Sequence, residues 1–229
     1  NFQKYLKDFT LKSINRLRSL QLLKIGLPVG LQYTFEVSAF GGAAILIGTI
    51  SPVAQAAHQI AINLASMTYM MASGISAAAA IKSGNNFGAK NYHGLRSSAI
   101  SSYHIVIAFM AVTAFVFIAC NQWLPWIYTS DKQVIIIASQ LLILAGIFQL
   151  FDGTQVIGLG ILRGMGDVNI PTYITFLAYW VVGLPVGYLL GIHYNMGVTG
   201  VWYGLVLGLM VASLLLFVRF QVMSKRFVV

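Results

Sequence analysis

Residues 134–162 read VIIIASQLLILAGIFQLFDGTQVIGLGIL, and Asp152 is the only charged residue among them. The stretch is longer than the roughly 20 apolar residues that an α-helix needs to cross the hydrocarbon core of a bilayer. It therefore predicts a transmembrane helix that carries one carboxyl group in its interior.

Five further stretches of the chain are long and apolar enough to span a bilayer. Hydrophobic residues make up 58% of the sequence and charged residues only 8%, against about a quarter in soluble domains. This composition excludes a disordered chain and leaves too little polar surface for a soluble domain. The sequence predicts an all-α fold, a polytopic membrane protein with a bundle of six transmembrane helices. The other predicted spans are 25–50, 53–81, 99–124, 170–192 and 198–217.

Positive charges collect at one end of the predicted helices. When six spans alternate in direction, only Lys132 of the 14 Lys and Arg residues falls on the other side. The positive-inside rule then places both ends of the chain in the cytoplasm. Residues 84–88, rich in Gly and Asn, are predicted to open one of the basic loops. These loops explain the net charge of +9, so nucleic acid is not a predicted partner.

The charge pattern divides the chain into three parts. Residues 1–24 have aromatic side chains on one helical face and lysines elsewhere, which predicts a cytoplasmic amphipathic linker on the lipid bilayer. Residues 25–218 form the predicted six-helix lobe, and residues 219–229 form a basic cytoplasmic tail. The chain begins with Asn1 rather than Met, which indicates a processed chain or a piece of a longer one.

Two prolines occur within a repeated motif. The sequence Gly-Leu-Pro-Val-Gly is found at residues 26–30 and again at residues 183–187. Pro28 is predicted near the beginning of its helix, where proline is tolerated, whereas Pro185 lies well inside its helix and removes a backbone hydrogen bond. Both prolines are candidate hinges. The alternative is close helix packing through the small residues of the motif.

Two acidic residues lie inside predicted spans. Glu36 follows Lys24 by twelve residues and Asp152 precedes Arg163 by eleven. At 1.5 Å per residue, the two acids lie about 18 Å and about 16 Å from these basic residues, near the middle of the bilayer. A charge at this depth is costly and usually functional. Because the spans contain no Lys or Arg, the two carboxyls are predicted to hold a proton or a cation such as Na⁺ between them.

Polar, aromatic and methionine side chains at helical spacing accompany these acids. Such a lining suits a large cationic guest, because aromatic faces attract cations and methionine adapts to varied shapes. Helix packing is the alternative for each single position. The predicted substrate cavity consists of Gln32, Tyr33, Phe40, Gln59, Asn63, Met67, Phe148, Gln149 and Gln155.

The motifs do not indicate an enzyme. Residues 164–167 read Gly-Met-Gly-Asp, which resembles the G-x-G-D motif of intramembrane aspartyl proteases, but that chemistry needs two close carboxyls. Asp167 instead lies in a basic loop beside Arg163, so the motif is interpreted as a tight turn. No His pair has the spacing of a zinc site, and Cys120 is the single cysteine. We expect no catalytic residue, no cofactor, and no metal other than Na⁺ at the two acids.

Several short motifs occur in a fixed order along residues 20–220. They are GLP at 26–28 and 183–185, AAHQI at 56–60, GLGILRGMGD at 158–167, and GVWYG at 200–204. Together they resemble motifs of MATE transporters, the multidrug and toxic compound extrusion family.

This resemblance implies a fold of twelve helices in two six-helix lobes around a central cleft. The chain matches the second lobe, so the implied partner is an N-terminal six-helix lobe of the same polypeptide. In the NorM-like branch of the family, acids of the seventh and tenth helices bind the coupling cation, and these acids map onto Glu36 and Asp152. One departure is Phe148, where several relatives have tyrosine.

The function that the resemblance implies is multidrug efflux, the export of cationic amphipathic small molecules in exchange for Na⁺ or H⁺. Two alternatives stay open: a flippase for lipid-linked precursors from the same superfamily, and a non-transporting six-helix membrane subunit. The acids favour the antiporter, because a cavity that holds lipid phosphates needs basic residues.

Overall fold

The computed structural model describes residues 15–228, and their side chains as far as residue 226. Within this range the chain forms six long helices and no strand, which confirms the predicted all-α class. Most of the connections are short, so consecutive helices cross the bundle in opposite directions. The helices are α1 (Arg16–Gly48), α2 (Pro52–Gly88), α3 (Tyr92–Ala119), α4 (Lys132–Gly164), α5 (Asn169–His193) and α6 (Gly197–Val228).

Polar side chains begin the first four helices. In each case the side chain accepts a hydrogen bond from a backbone N–H of the first turn, which satisfies a donor that the helix leaves free. The four residues are Asn15, Ser51, Asn91 and Asp131.

Five of the six helices, α2 to α6, are long and apolar enough to cross a membrane. The polytopic architecture predicted from the sequence is therefore confirmed. α1 has 33 residues but is not among these five, because it carries basic residues in its first turns and Gln32 and Glu36 in its middle. Polar residues of this kind face the interior of a membrane bundle rather than lipid.

α4 forms the centre of the bundle and packs against α2, α3 and α6. More than half of its residues are buried. At its crossing with α2, Gly160 lies against Ser76, whose hydroxyl donates a hydrogen bond to the Val156 carbonyl at 2.6 Å. Small residues at such crossings let two backbones approach closely, which stabilises helix pairs in a bilayer.

The helices are longer than the sequence predicted. Residues 84–88, predicted to open a loop, belong to the last turns of α2, and the chain turns instead at Lys90, whose φ is 57°. The prediction of a loop at residues 84–88 is wrong because the longer helix provides hydrogen bonds for backbone N–H and C=O groups that a loop would leave without a partner.

The ends of the chain show the same extension. α1 already begins at Arg16, and α6 continues to Val228. No interruption of a helix therefore marks the predicted domain boundaries after residues 24 and 218, and their place at the membrane surface stays a prediction. Most of the predicted linker, residues 1–14, lies outside the described residues.

The two prolines both lie inside helices. The predicted position of Pro28 near a helix start is wrong, because α1 begins at Arg16. Pro185 lies inside α5 as predicted, and this helix widens into π-helical turns over Leu177–Gly183 and Leu189–His193, on either side of the proline. Such local adjustments satisfy the backbone groups that a proline frees inside a membrane helix.

α5 and α6 approach each other until their backbones touch. A Cβ atom added to Gly200 would lie 2.7 Å from the backbone N of Gly191, and one added to Gly204 would lie 2.5 Å from the backbone O of Gly183. Only glycine fits at Gly200 and Gly204. Each helix contributes three glycines spaced four residues apart: Gly183, Gly187, Gly191, Gly200, Gly204 and Gly208.

Two hydrogen bonds join α1 to α5. The Thr172 hydroxyl donates to the Pro28 carbonyl at 2.9 Å, and the Trp180 indole N–H donates to the Phe35 carbonyl at 3.2 Å. The second bond falls on the residue before Glu36, so α5 helps to set the position of that acid.

Candidate functional site

A cavity of about 310 Å³ lies between α1, α2 and α4. Glu36 of α1 and Asp152 of α4 both line it, although the two residues are only 5% and 3% exposed. The structure thus brings the two acids identified by depth to the wall of one cavity. Carboxyl groups on different helices can share a proton or a cation only in an arrangement of this kind.

A chain of hydrogen bonds joins Glu36 to α5. The Tyr179 hydroxyl donates to Gln155 Oε1 at 2.7 Å, and Gln155 Nε2 donates to Glu36 Oε1 at 3.4 Å. All three residues are buried. Because the oxygen and the nitrogen of the Gln155 amide are both engaged, the amide has one defined orientation. Residues of α4 and α5 therefore hold Glu36 at the cavity wall.

Several buried polar atoms beside the acids have no partner among the described residues. They include Glu36 Oε2, Gln32 Nε2 and Gln149 Oε1, whereas Gln149 Nε2 donates to the Thr68 hydroxyl of α2. Buried polar groups are normally hydrogen-bonded, so each exception needs an explanation. A carboxyl oxygen beside a second carboxyl is satisfied by a proton or by a bound cation.

Aromatic rings form much of the remaining cavity wall. Tyr33, Phe40, Tyr69 and Phe148 line it. The ring centroid of Phe40 is 5.9 Å from that of Phe148 and 5.8 Å from that of Tyr179. The wall therefore combines π faces, which attract cations, with two acids that carry or lose a proton.

One basic side chain reaches the edge of this cavity. The guanidinium group of Arg163 lies 5.5 Å from the centroid of the Tyr33 ring, and its Nε is buried without a partner among the described residues. Among residues 15–226, whose side chains the structure describes, the one ion pair joins Arg219 to Asp167 at 2.6 Å. Arg163 thus forms no ion pair with either acid, although its long side chain reaches Tyr33, which lines the cavity.

The residues predicted to form the substrate cavity fall into three groups. Three of them line the cavity: Tyr33, Phe40 and Phe148. Three are buried but do not line it: Gln32, Gln149 and Gln155. The three predicted on α2 are exposed and lie outside it: Gln59, Asn63 and Met67. A role of these nine residues in binding a substrate stays a prediction.

α2 presents a different face to the cavity from the one predicted. Polar residues at helical spacing indicated its exposed side, where Asn63 Oδ1 accepts a hydrogen bond from the Tyr128 hydroxyl at 2.9 Å. The buried alanines Ala57, Ala61 and Ala65 determine the rotation instead, because small residues allow close approach to a neighbouring helix. The residues of α2 that line the cavity are Ile62, Ala65, Ser66 and Tyr69.

The site also contains residues that were not predicted, among them Tyr69, Arg163 and Tyr179. Nothing in the sequence around Tyr179 indicated a hydrogen bond to Gln155. Arg163 was counted as a loop residue because it ends a span. Spacing along one helix cannot show which side chains of α5 or α2 reach an acid on α1.

His58 and Asp167, which lie outside the cavity, have ordinary structural partners. His58 Nδ1 accepts a hydrogen bond from the Trp202 indole at 3.2 Å, and both residues are buried. Among the described residues there is no cluster of three His, Cys, Asp or Glu side chains that could hold a metal ion. Asp167 of the G-x-G-D sequence pairs with Arg219, and Gly166 adopts a φ of 78° in the turn between α4 and α5.

The fold and the site define a polytopic α-helical membrane protein with an acid-lined cavity. Residues 28–189 match the family model MatE, and this match covers more than half of the chain. The chain belongs to the MatE family, and the proteins of known structure that it resembles include MATE transporters.

Individual relatives agree with this assignment. Over 206 residues the chain is 38% identical to a probable multidrug resistance protein NorM of Xanthomonas axonopodis pv. citri (strain 306), covering 90% of the chain and 45% of that protein. Over 217 residues it is 37% identical to the multidrug resistance protein MdtK of Proteus mirabilis (strain HI4320), covering 93% and 47%. The chain therefore spans about half the length of the curated relatives it matches.

The chain also spans about half the length of the solved structure that it resembles. A crystal structure of a MATE transporter in the straight conformation superimposes with a TM-score of 0.87 at 19% sequence identity, covering 96% of the chain and 50% of that transporter. The six-helix bundle described above is thus one lobe of the MATE fold.

Proposed function

We propose that this lobe carries the cation-coupling site of an exporter that exchanges Na⁺ or H⁺ for cationic amphipathic compounds. The observation that supports the proposal is the pair Glu36 and Asp152 at the wall of one cavity. Each acid is buried, and Glu36 Oε2 has no partner among the described residues. An arrangement of this kind is expensive in a membrane unless a proton or cation occupies it in some state of the cycle.

The chemistry of the cavity suits a small hard cation next to a larger organic one. Carboxyl oxygens are the ligands that hard cations prefer, and either carboxyl can alternatively take a proton. The rings of Tyr33, Phe40, Tyr69 and Phe148 offer π faces to an organic cation. A phosphate group would be repelled by the acids, which disfavours a flippase for lipid-linked precursors.

Coupling requires that the ion and the drug favour different states of the transporter. Binding of Na⁺ or H⁺ to the acids neutralises the cavity and removes the attraction for the organic cation, so that the compound is released. By reciprocity, the bound compound weakens the affinity for the ion by the same factor. The hydrogen-bonded chain through Gln155 and Tyr179 connects the charge of Glu36 to α5, which gives the ion a contact with a third helix.

The complete transporter needs a second surface facing the acid-lined cavity. We place it in a preceding six-helix lobe of the same polypeptide, since the chain covers 45% of its NorM relative. We assign the protein to the bacterial inner membrane with both ends of this lobe in the cytoplasm, because 13 of the 14 Lys and Arg residues lie on that side. A single cysteine at position 131 should then react with an impermeant maleimide added outside, whereas one at position 90 should not.

The decisive test uses the complete gene product in inverted vesicles that export ethidium under an imposed Na⁺ or proton gradient. Glu36→Gln and Asp152→Asn keep the shape and remove the charge, so each should reduce gradient-driven export at least about a hundredfold, the scale of losing a coupling of about 3 kcal/mol. Asp131→Asn is the matched control, because it removes a carboxylate of the α3–α4 connection where Asn also caps a helix.

Drug binding distinguishes coupling from simple damage. In the parent protein, raising Na⁺ or lowering the pH should weaken ethidium binding, and in the double variant this dependence should disappear. Export at the parental rate with unchanged ion dependence in the double variant would show that coupling lies outside this lobe. Lost export with unchanged ion-dependent binding would assign the acids to another step.

A further inference from the structure

A second cavity, of about 540 Å³, opens between α3, α4 and α6. We call it the α3–α4–α6 groove. It uses a different face of α4 from the acid-lined cavity, since Leu150 and Thr154 line the groove and Phe148 and Asp152 line the cavity. The cation-coupling proposal does not use the groove.

The walls of the groove are mostly apolar and open to the surroundings of the bundle. Ile107 of α3, Leu150 of α4 and Leu214 of α6 line it and are 41%, 37% and 55% exposed. All three helices are long and apolar enough to cross a membrane. The groove therefore opens to the lipid bilayer, and the hydrocarbon chain of a lipid can fill it.

One end of the groove is basic. Arg96 lies one turn before the groove residue Ile100, and its Nη2 donates a hydrogen bond to Oε1 of Gln221, another groove residue, at 3.1 Å. Lys225, which is exposed, follows Gln221 by one turn of α6. This end of the groove lies where α3 begins and α6 approaches its end, so the two cations are at a membrane surface.

The inner wall of the groove is aromatic. Tyr103 lines the groove, is 4% exposed, and its hydroxyl is buried without a partner among the described residues. Its ring packs against those of Phe217 and Phe220, with centroids 5.3 Å and 6.0 Å away. The hydroxyl faces Gly158 of α4, so an occupant of the groove meets the aromatic rings and not this hydroxyl.

We propose that the α3–α4–α6 groove binds one anionic phospholipid. An acyl chain lies between Ile107, Leu150 and Leu214, and the phosphate lies at Arg96 and Lys225. Basic pockets between transmembrane helices recognise anionic headgroups in this way, whereas an apolar groove without cations would accept any lipid. The bound lipid occupies the junction of α3 and α6 with α4, the central helix, on a face that the two acids do not use.

Native mass spectrometry of the delipidated complete gene product, titrated with phosphatidylglycerol or with phosphatidylcholine of the same acyl chains, tests the proposal. The parent should bind one phosphatidylglycerol more tightly than phosphatidylcholine. Each cation near a membrane surface contributes about fivefold to anionic lipid affinity, so Arg96→Gln combined with Lys225→Gln should weaken phosphatidylglycerol binding about 25-fold. The single variant Arg96→Lys should keep most of the phosphatidylglycerol affinity that the single variant Arg96→Gln loses.

Two further variants separate the groove from general surface charge. Lys82→Gln removes an exposed cation of α2, which does not line the groove, and should leave phosphatidylglycerol binding within twofold of the parent. Leu214→Trp fills the groove from an exposed position, and should reduce binding of both lipids without lowering the thermal midpoint.

Three outcomes would overturn the proposal. Equal affinity for the two lipids would show that the headgroup is not recognised. Unchanged phosphatidylglycerol binding in the double cation variant would show that the phosphate does not bind at Arg96 and Lys225. Binding of neither lipid, with a lower thermal midpoint for Leu214→Trp, would show that another segment of the protein fills the groove.

Discussion

The motif Gly-Leu-Pro-Val-Gly occurs in α1 and in α5, and the two copies have opposite surroundings. In α1, a Cβ atom added to Gly26 or Gly30 would meet nothing within 4 Å outside its own helix among the described residues. In α5, Gly183 and Gly187 lie against the backbone of α6. The two glycines of the motif are thus open in α1 and clamped against another helix in α5.

The difference shows that the partner helix, and not the motif, determines how the motif packs. α6 carries glycines at residues 200, 204 and 208, at the same four-residue spacing as Gly183 and Gly187, so two backbones fit together. No helix with matching glycines faces residues 26–30 within the described chain. Bending of the open copy at its proline therefore meets only the hydrogen bond from Thr172 to the Pro28 carbonyl, whereas bending of the clamped copy would break backbone contacts with α6.

The largest effect is expected from a substitution that pushes α5 and α6 apart at the clamped copy. In Gly204→Ala the new methyl group would overlap backbone atoms of Gly187 and lie 2.5 Å from the carbonyl oxygen of Gly183. Overpacking usually costs about 1–3 kcal/mol, and a clash with backbone belongs at or above the upper end. We expect a strongly lowered thermal midpoint or no folded protein, measured on the complete gene product in detergent. A thermal midpoint equal to that of the parent would contradict the close contact of α5 and α6.

The prolines of the two copies should differ in transport rather than in stability. Pro28→Ala restores a regular helix in the open copy, and a resulting bias of about 1.4 kcal/mol toward one state would change the conformational equilibrium about tenfold. We expect the initial rate of ethidium export to fall by this order with an unchanged thermal midpoint. Pro185→Ala should change the rate by less than a factor of two, because α6 holds α5 in place.

The reverse order of the two rates would assign the hinge to α5. Equal rates for the parent and both variants would leave close packing as the only role of the motif. Ethidium binding to each purified variant is the control, since it separates slower conformational change from a damaged site.

A smaller effect is expected at the contact between the two copies' helices. Thr172 of α5 donates a hydrogen bond to the Pro28 carbonyl at 2.9 Å and another to the Val168 carbonyl at 2.8 Å. Thr172→Val keeps the shape and removes the hydroxyl, which should lower the free energy of unfolding by about 1 kcal/mol. Thr175→Val is the matched control, because the Thr175 hydroxyl bonds only within α5, to Pro171. An equal loss in both variants would mean that the bond to α1 contributes nothing.

Most of the architecture could be predicted from the sequence, because hydrophobic length and the place of basic residues depend on local composition alone. The apolar stretch around Asp152 predicted α4, and the burial of more than half of its residues follows from its central place. Helix ends were predicted less well. Residues 84–88 were expected in a loop because Gly and Asn favour turns, but the helix continued through them.

The site could be predicted only in part for a related reason. The depth of Glu36 and Asp152 follows from counting residues, and both line one cavity. The rotation of α2 and the hydrogen bonds of Tyr179 depend on contacts between helices, which no pattern within one helix contains. The polar residues of α2 therefore indicated a face that does not line this cavity, and Tyr69 was missed although it does line it.

The smallest effect is expected at the open copy itself. In Gly30→Ala the added methyl group meets no atom of another described helix within 4 Å. Alanine reduces the conformational freedom of the unfolded chain, so the free energy of unfolding should rise by about 0.4–1 kcal/mol. Transport should stay close to the parental rate, because Pro28 is kept. The measurement is the same thermal midpoint used for Gly204→Ala, which makes the two substitutions a matched pair. If Gly30→Ala destabilised the complete protein as strongly as Gly204→Ala, the open copy would have a close partner in a segment outside this chain, and the first lobe proposed above would be the place to look for a helix with glycines at the matching spacing.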